Sequence, residues 1–268
     1  MELELMYRQS AQDLDEIDGN RGAATMEASV DRIGTIPLFE LLAPPLRKQI
    51  EGIGELVTAE QDDLLSRQGA MPGFLHILLE GQVALTSAMA DGITAVVSVV
   101  HPGAHFVLSS VLAELPYLMT ARAVMRSRVL AIDAPSLLRL VEHERSLANA
   151  LLHSVSHEFR GMVQQVRDLK LRTAAQRLGC YLLERVKDSN ARKADFRLPF
   201  EKGLLAAQIG CRQENLSRAF AALREHGVET HGLRVILHDI PRLKAVAMPD
   251  DVSDAEAAQD RSSSPRIG

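Results

Sequence analysis

Arg212, Gln213, Glu214, Asn215, Ser217 and Arg218 fall within seven consecutive positions, and they share those positions with one apolar residue, Leu216. Leu216, Phe220 and Leu223 recur at intervals of four and three, which predicts the inner face of a helix. The six polar residues then occupy the outer side of its first turns. Side chains of these types hydrogen-bond to base edges and phosphates. Arginine takes both acceptors of guanine, glutamate accepts from a cytosine amino group, and glutamine matches adenine. Packing alone has no need for Gln213, Glu214 and Arg218 at that spacing.

The elements that must position them are legible on either side. Leu204, Leu205 and Ile209 predict a preceding short helix, and Gly210 stands where a tight turn needs a residue without a Cβ. Gly227 and Val228, then Thr230-His231-Gly232 and Val235-Ile236-Leu237, read as a helix stop followed by a small β-wing. Helix, turn, helix and wing make a winged helix-turn-helix, a DNA-reading shape. The alternative for the same shape is a module for protein contacts. Charge favours DNA. Residues 170–247 hold 15 Lys and Arg against 8 Asp and Glu, although the whole chain carries a formal charge of −5.

Other chemistry finds little support. No Walker loop, GxSxG elbow or HExxH motif is present, so the chain is read as a protein without catalytic activity. His153 and His157 are spaced as a helical metal pair but lack a third ligand. Two cysteines, Cys180 and Cys211, are too few for a four-cysteine cluster. Cys180 lies between Leu178 and Leu182 and reads as core. Cys211 is either an oxidisable thiol at a helix start or, the favoured reading, a small residue closing the turn. The longest apolar runs fall short of the ~20 residues of a membrane span, and the acidic start does not resemble a signal peptide. A cytoplasmic protein with no membrane partner is expected.

Upstream, the expected fold class is α+β. Residues 1–34 and 248–268 are polar and read as mobile ends. Residues 35–133 carry short β-favouring runs separated by Gln68-Gly69, Pro72-Gly73, Glu80-Gly81, Asp91-Gly92 and Pro102-Gly103, which predicts a β-roll with a hairpin at Asp91-Gly92. Residues 134–170 predict one long helix. Along it Ala148, Leu152, Val155, Phe159, Met162, Val166 and Leu169 recur at alternating intervals of four and three, the seam of a coiled coil. The simplest partner for that seam is a second copy of the chain. Residues 171–247 form the winged helix-turn-helix domain.

This order of parts resembles the cyclic-AMP receptor protein and FNR (CRP/FNR) family of bacterial transcription regulators. The resemblance rests on Leu78-Leu79-Glu80-Gly81-Gln82-Val83 and Pro102-Gly103 in the roll, and on residues 207–218, Ala-Gln-Ile-Gly-Cys-Arg-Gln-Glu-Asn-Leu-Ser-Arg, in the reading helix. The Glu-x-x-Ser-Arg arrangement is similar to the FNR-type branch. It implies a dimer that reads a TTGAT-like inverted repeat in double-stranded DNA, with RNA polymerase as partner if the protein activates. Glu214, Ser217 and Arg218 are then the base readers, Gln213 a modulating neighbour and Arg212 a phosphate contact. The run from Arg167 to Leu178 most resembles the DNR-like and FtrB-like branches, which implies nitric-oxide, redox or iron-linked control.

Cyclic AMP is not expected as effector. Where cyclic-nucleotide binders of the family present a Gly-Glu pair and then Arg-Ser, this chain has Leu108 in place of the carboxylate and Tyr117 near the place of the arginine. A phosphate buried without its partners is costly. Arg122 or Arg126 could still enter the site through a small register shift. The departure leaves an apolar effector pocket at Phe106, Leu108, Leu112, Leu118 and Met119, with Leu115 beside them and His76, His101 and His105 nearby. Haem is a possible cofactor there through a histidine ligand.

Overall fold

A computed structural model of the chain describes residues 36–40, 42–89, 94–186, 188, 190–199 and 201–248. The mobile ends and the Asp91-Gly92 turn read from the sequence lie outside the described residues. The hairpin arms on either side of that turn are described: β4 (Val83–Ala88) pairs antiparallel with β5 (Thr94–Val100).

The N-terminal region begins with α1 (Pro44–Gly52), β1 (Gly54–Ala59), β2 (Leu64–Ser66) and β3 (Phe74–Glu80). After β4 and β5 come β6 (His105–Phe106), α2 (Leu108–Ala113), β7 (Thr120–Ala123) and β8 (Ser127–Asp133). Two four-stranded sheets result, ordered β1-β8-β3-β6 and β2-β7-β4-β5. Their facing sides enclose Leu78, Val83, Leu85, Val100, Phe106, Ala121 and Val129. The outer face of the first sheet is covered as well: Leu75, Ile77, Leu130 and Ile132 pack under Leu46, Ile50, Leu137, Leu147 and Leu151 from helices. That two-sided burial explains why β3 and β8 read as continuous apolar runs rather than alternating ones. At the turn after β3, Gly81 has φ +91, and a Cβ there would lie 2.6 Å from the Arg126 carbonyl. Only glycine fits this turn.

The long helix expected at residues 134–170 is two helices, α3 (Ala134–His143) and α4 (Arg145–Leu171). Asp133 caps α3 through Ser136 N at 2.9 Å, and Glu144 breaks the run with φ −113 and ψ 90. Leu137 and Leu151 are 14 residues apart, ~21 Å along a straight helix, yet both enter the same buried cluster. The break lets α3 close the roll and α4 run along it.

Next come α5 (Ala174–Glu184), β9 (Ala194–Arg197), α6 (Lys202–Gln208), α7 (Gln213–Arg224), β10 (Val228–His231), β11 (Arg234–Leu237) and α8 (Ile240–Ala247). Thr173 and Gln176 form a reciprocal capping box that starts α5 just after α4 ends. The C-terminal core gathers Leu178, Leu182, Leu205, Leu216, Phe220, Val235 and Leu243, and it extends onto Val99 of β5 in the roll.

Candidate DNA interface and sensor interior

In the helix-turn-helix, Gly210 takes φ +66, where a Cβ would meet the Leu169 side chain at 2.4 Å. The positive φ favours glycine, and the missing Cβ lets the turn close onto the Leu169 side chain in the last turn of α4. Arg177 holds the same turn from α5: its Nε donates to the Ile209 carbonyl at 2.7 Å and its Nη2 to the Gly210 carbonyl at 3.1 Å. Its Nη1 reaches back to the Arg172 carbonyl at 2.6 Å, so one guanidinium ties the α4–α5 junction to the turn. Sequence reasoning missed Arg177, because a side chain bonding to distant carbonyls leaves no periodic signal.

Leu216, Ala219, Phe220 and Leu223 are the buried face of α7. Arg212, Gln213, Glu214, Asn215, Ser217 and Arg218 are all exposed on the other side. The helix brings the six together on one surface. Among the described residues, the side-chain hydrogen bond made by this set is that of the Ser217 hydroxyl, which donates to the Gln213 carbonyl at 3.4 Å. Gln213 also shares a shallow concavity with Gly232 and Leu233, which places the wing tip beside the first turn of α7. Burial pushes the Cys211 thiol up, with nearby Arg177 opposing, so this cysteine closes the turn as a neutral thiol.

Along α4 the seven seam residues divide. Leu152, Phe159, Met162, Val166 and Leu169 are exposed, Phe159 at 61%, although Leu169 also lies against Gly210. Val155 packs on the roll, and Ala148 is half-buried. Val163, absent from the expected seam, is exposed beside it.

The residues assigned to an effector pocket do not converge. His76 and Phe106 are opposite each other on β3 and β6 and face the roll interior, their rings stacked with centroids 5.1 Å apart. Met119 packs on the same interior cluster. Leu108 and Leu112 belong to the other cluster, under the helices. Leu118 is 72% exposed, and Leu115 is exposed too, so neither lines a pocket. The cause is Tyr117, which turns inward: its amide donates to the Ala70 carbonyl and its hydroxyl to the Phe74 carbonyl, which directs the next residue out.

His105 points away from His76, toward α4. Its Nε2 bonds the Ser154 hydroxyl, and its Nδ1 stands 3.1 Å from a Glu158 carboxylate oxygen. Burial pulls this imidazole down to about 4, with nearby His157 adding to the effect, and burial raises Glu158. Both groups are thereby driven toward their neutral forms. The His76 imidazole is likewise held at about 4 by burial, and its Nδ1 has no hydrogen-bond partner. Arg122 donates to the Asp62 carbonyl at 2.7 Å, and Arg126 pairs with Glu60 at 3.2 Å on the surface. Neither arginine enters the roll. Among the described residues no cluster of three metal-ligating side chains is found, and no helix is long and apolar enough to cross a membrane.

Two regions of the chain match known domain families. Residues 56–144 match the cyclic nucleotide-binding domain family, and residues 176–246 match the Crp-like helix-turn-helix domain family. No curated protein matches the chain. Among solved structures, a Ruegeria pomeroyi protein provisionally described as cyclic nucleotide binding is 26% identical, with a TM-score of 0.59 over 83% of this chain and 100% of its own. FixK2 from Bradyrhizobium japonicum is 18% identical, with a TM-score of 0.61 over 72% of this chain and 97% of its own. The c-di-GMP responsive regulator CLP of Xanthomonas campestris is 16% identical, with a TM-score of 0.60 over 73% of this chain and 99% of its own. The last two share the fold.

Proposed function

We propose that this chain, which joins a cyclic nucleotide-binding domain to a Crp-like helix-turn-helix domain, is a cytoplasmic DNA-binding transcription regulator of the CRP/FNR type that acts as a homodimer. The observation that carries the reading is the exposed face of α7. Glu214 and Arg218, one turn apart, stand in solvent with no ion pair among the described residues, over a helix whose other face is fixed in a core. Glu214, Ser217 and Arg218 read base edges, and Arg212 holds a phosphate. The apolar row on α4 supports a two-fold partner, since Leu152, Phe159, Met162 and Val166 gain burial only against another helix. A two-fold dimer reads an inverted repeat, here one with TTGAT-like half-sites about one helical turn apart. As an activator it would also meet RNA polymerase.

The signal is proposed to be something other than cyclic AMP: haem, nitric oxide, redox state or iron. Against cyclic AMP stand the buried Leu108 and the two surface-tied arginines, which leave a phosphate in the roll without a cation. Haem is favoured by one observation, the buried His76 with its unpartnered Nδ1. His76 would hold the iron, with Phe106 and Met119 as apolar wall; His105 would not, because its ring leaves the roll interior for α4, where its Nε2 bonds Ser154. When bound, haem would supply a site for a diatomic gas. Protein purified from haem-supplied cells would show a Soret band that His76→Ala removes. A band unchanged in that variant removes His76 as the ligand, and no band in the wild type removes haem from the reading.

The test of the main reading is binding to a duplex carrying the TTGAT inverted repeat. Arg218→Ala is expected to abolish preference for the repeat over a scrambled duplex while the dimer stays intact. Equal binding to both duplexes by the wild type would instead favour a winged-helix dimerisation protein without sequence-specific DNA binding.

A further inference from the structure

The wing carries a cluster that the reading face does not use. Glu229 and His231 lie two residues apart on β10 and so on the same side of the strand. His238 follows β11, and its amide donates to the Gly227 carbonyl at 2.8 Å, which folds it back beside Glu229. The two imidazoles then grip one carboxylate. His231 Nε2 is 2.7 Å from one oxygen of Glu229, and His238 Nε2 is 2.7 Å from the other. His231 also adjoins Gly232, the wing-tip residue that shares a concavity with Gln213 of α7. The clip therefore runs from beside the wing tip, at His231, to the base of the wing, near Arg224 at the C-terminal end of α7.

Its geometry dictates how it takes up protons. A carboxylate only accepts, so each neutral imidazole donates its Nε2–H and carries its free lone pair on Nδ1. Protonation adds a hydrogen at Nδ1 and leaves both bonds to Glu229 in place. The trio thus changes from a net charge of −1, with both rings neutral, to +1, with both charged, without rearrangement. The bonds from His238 and then His231 hold the Glu229 carboxyl below its ordinary range, so it stays ionised as the rings fill. Other charged groups stand around it. Arg224 of α7 lines a second concavity together with Glu229, His231 and His238, Arg234 of β11 is engaged by Asp195 of β9, and Asp239 caps α8. His226, at the end of α7, is a third imidazole in the region.

We infer that this His231–Glu229–His238 clip is a proton-operated phosphate contact, converting the wing from repelling to attracting the DNA backbone as pH falls through the imidazole range. The inference rests on the DNA-binding reading above and deepens it. Imidazole is the side chain whose ordinary titration falls between pH 5 and 8, and a backbone contact is independent of sequence. The gain on acidification should therefore be the same for any duplex.

The experiment is fluorescence anisotropy with the full chain at fixed low salt, from pH 7.5 to 5.5, on the TTGAT inverted-repeat duplex and a scrambled one. About a tenfold tightening is expected for each duplex, of the order of one net proton taken up over a unit of pH. His231→Gln combined with His238→Gln should flatten the dependence to within about twofold, and His226→Gln should leave it intact. Glu229→Gln, which removes the fixed negative charge, should bind more tightly than wild type at pH 7.5. A pH-independent wild type, or a double variant as pH-dependent as the wild type, overturns the clip while leaving DNA binding in place. Absence of binding to either duplex at every pH overturns the DNA-binding reading, and the clip with it.

Discussion

The outer face of α7 and the interior of the β-roll are built on opposite principles. On α7, six polar side chains are exposed, and among the described residues only the Ser217 hydroxyl, on the Gln213 carbonyl, is hydrogen-bonded within the chain. Inside the roll, His76, Phe106, Val83 and Val129 are almost wholly buried against one another. The first surface is complete without a partner and chemically unfinished; the second is packed, with one ring nitrogen left over. A reading surface must be preorganised and open, whereas a sensor can be closed until its signal arrives. That difference is why the partner of α7 can be argued from residue types, and the effector only by excluding what does not fit.

The comparison breaks first at the core that holds α7. Phe220→Ala removes a buried aromatic ring and is expected to cost about 3–5 kcal/mol. Calorimetry should show the transition of the C-terminal region displaced downward while that of the roll stays in place. If both transitions move together, the two cores melt as one, as the packing of Val99 on the C-terminal cluster would allow.

The roll's closed interior makes an opposite kind of prediction, one about protons. Burial lowers the His76 imidazole from its ordinary 6.5 to about 4. Between those values the unfolded chain binds a proton that the folded chain excludes, so stability rises with pH across that window and is lost on acidification. The single group accounts for up to ~3 kcal/mol by pH 4. His76→Leu should reduce the pH dependence of roll unfolding and leave the part that belongs to His105, which burial lowers to the same value; an unchanged dependence would mean that water reaches the His76 ring.

Two smaller effects sharpen the account of α7. Glu214→Ala should relax discrimination at one base pair by ~1–3 kcal/mol, read from competition among single-substituted duplexes, with the melting curve unaltered. Equal weakening on every sequence would move Glu214 from base reading to a general role. Asp239→Ala, which removes the cap on α8 through the Arg242 amide, should lower the stability of the C-terminal region by about 1 kcal/mol and leave base discrimination untouched.

How much was legible in the sequence follows the same division. Gly210, Leu216, Phe220 and Leu223 announced the helix-turn-helix, because periodicity and turn chemistry are local signals. The sheet arms around the roll were equally plain. The break at Glu144 was not, since a strong helical pattern runs through it and only the shared cluster of Leu137 and Leu151 requires the bend. Leu118 was misplaced for a related reason. In an apolar run the residue that turns inward is decided by distant carbonyls, here those of Ala70 and Phe74 bonded by Tyr117. His105 and His76 lie on adjacent strands and point to opposite sides of one sheet, a consequence of register that composition does not carry. The Arg177 clamp and the wing clip were invisible on the same grounds.

The most direct test of the central claim is selection of binding sites by the purified full-length protein from a pool of duplexes with random centres. The account predicts enrichment of a two-fold symmetric repeat with TTGAT-like half-sites, lost in Arg218→Ala. Enrichment of no sequence, or of the same repeat by the variant as by the wild type, would contradict it.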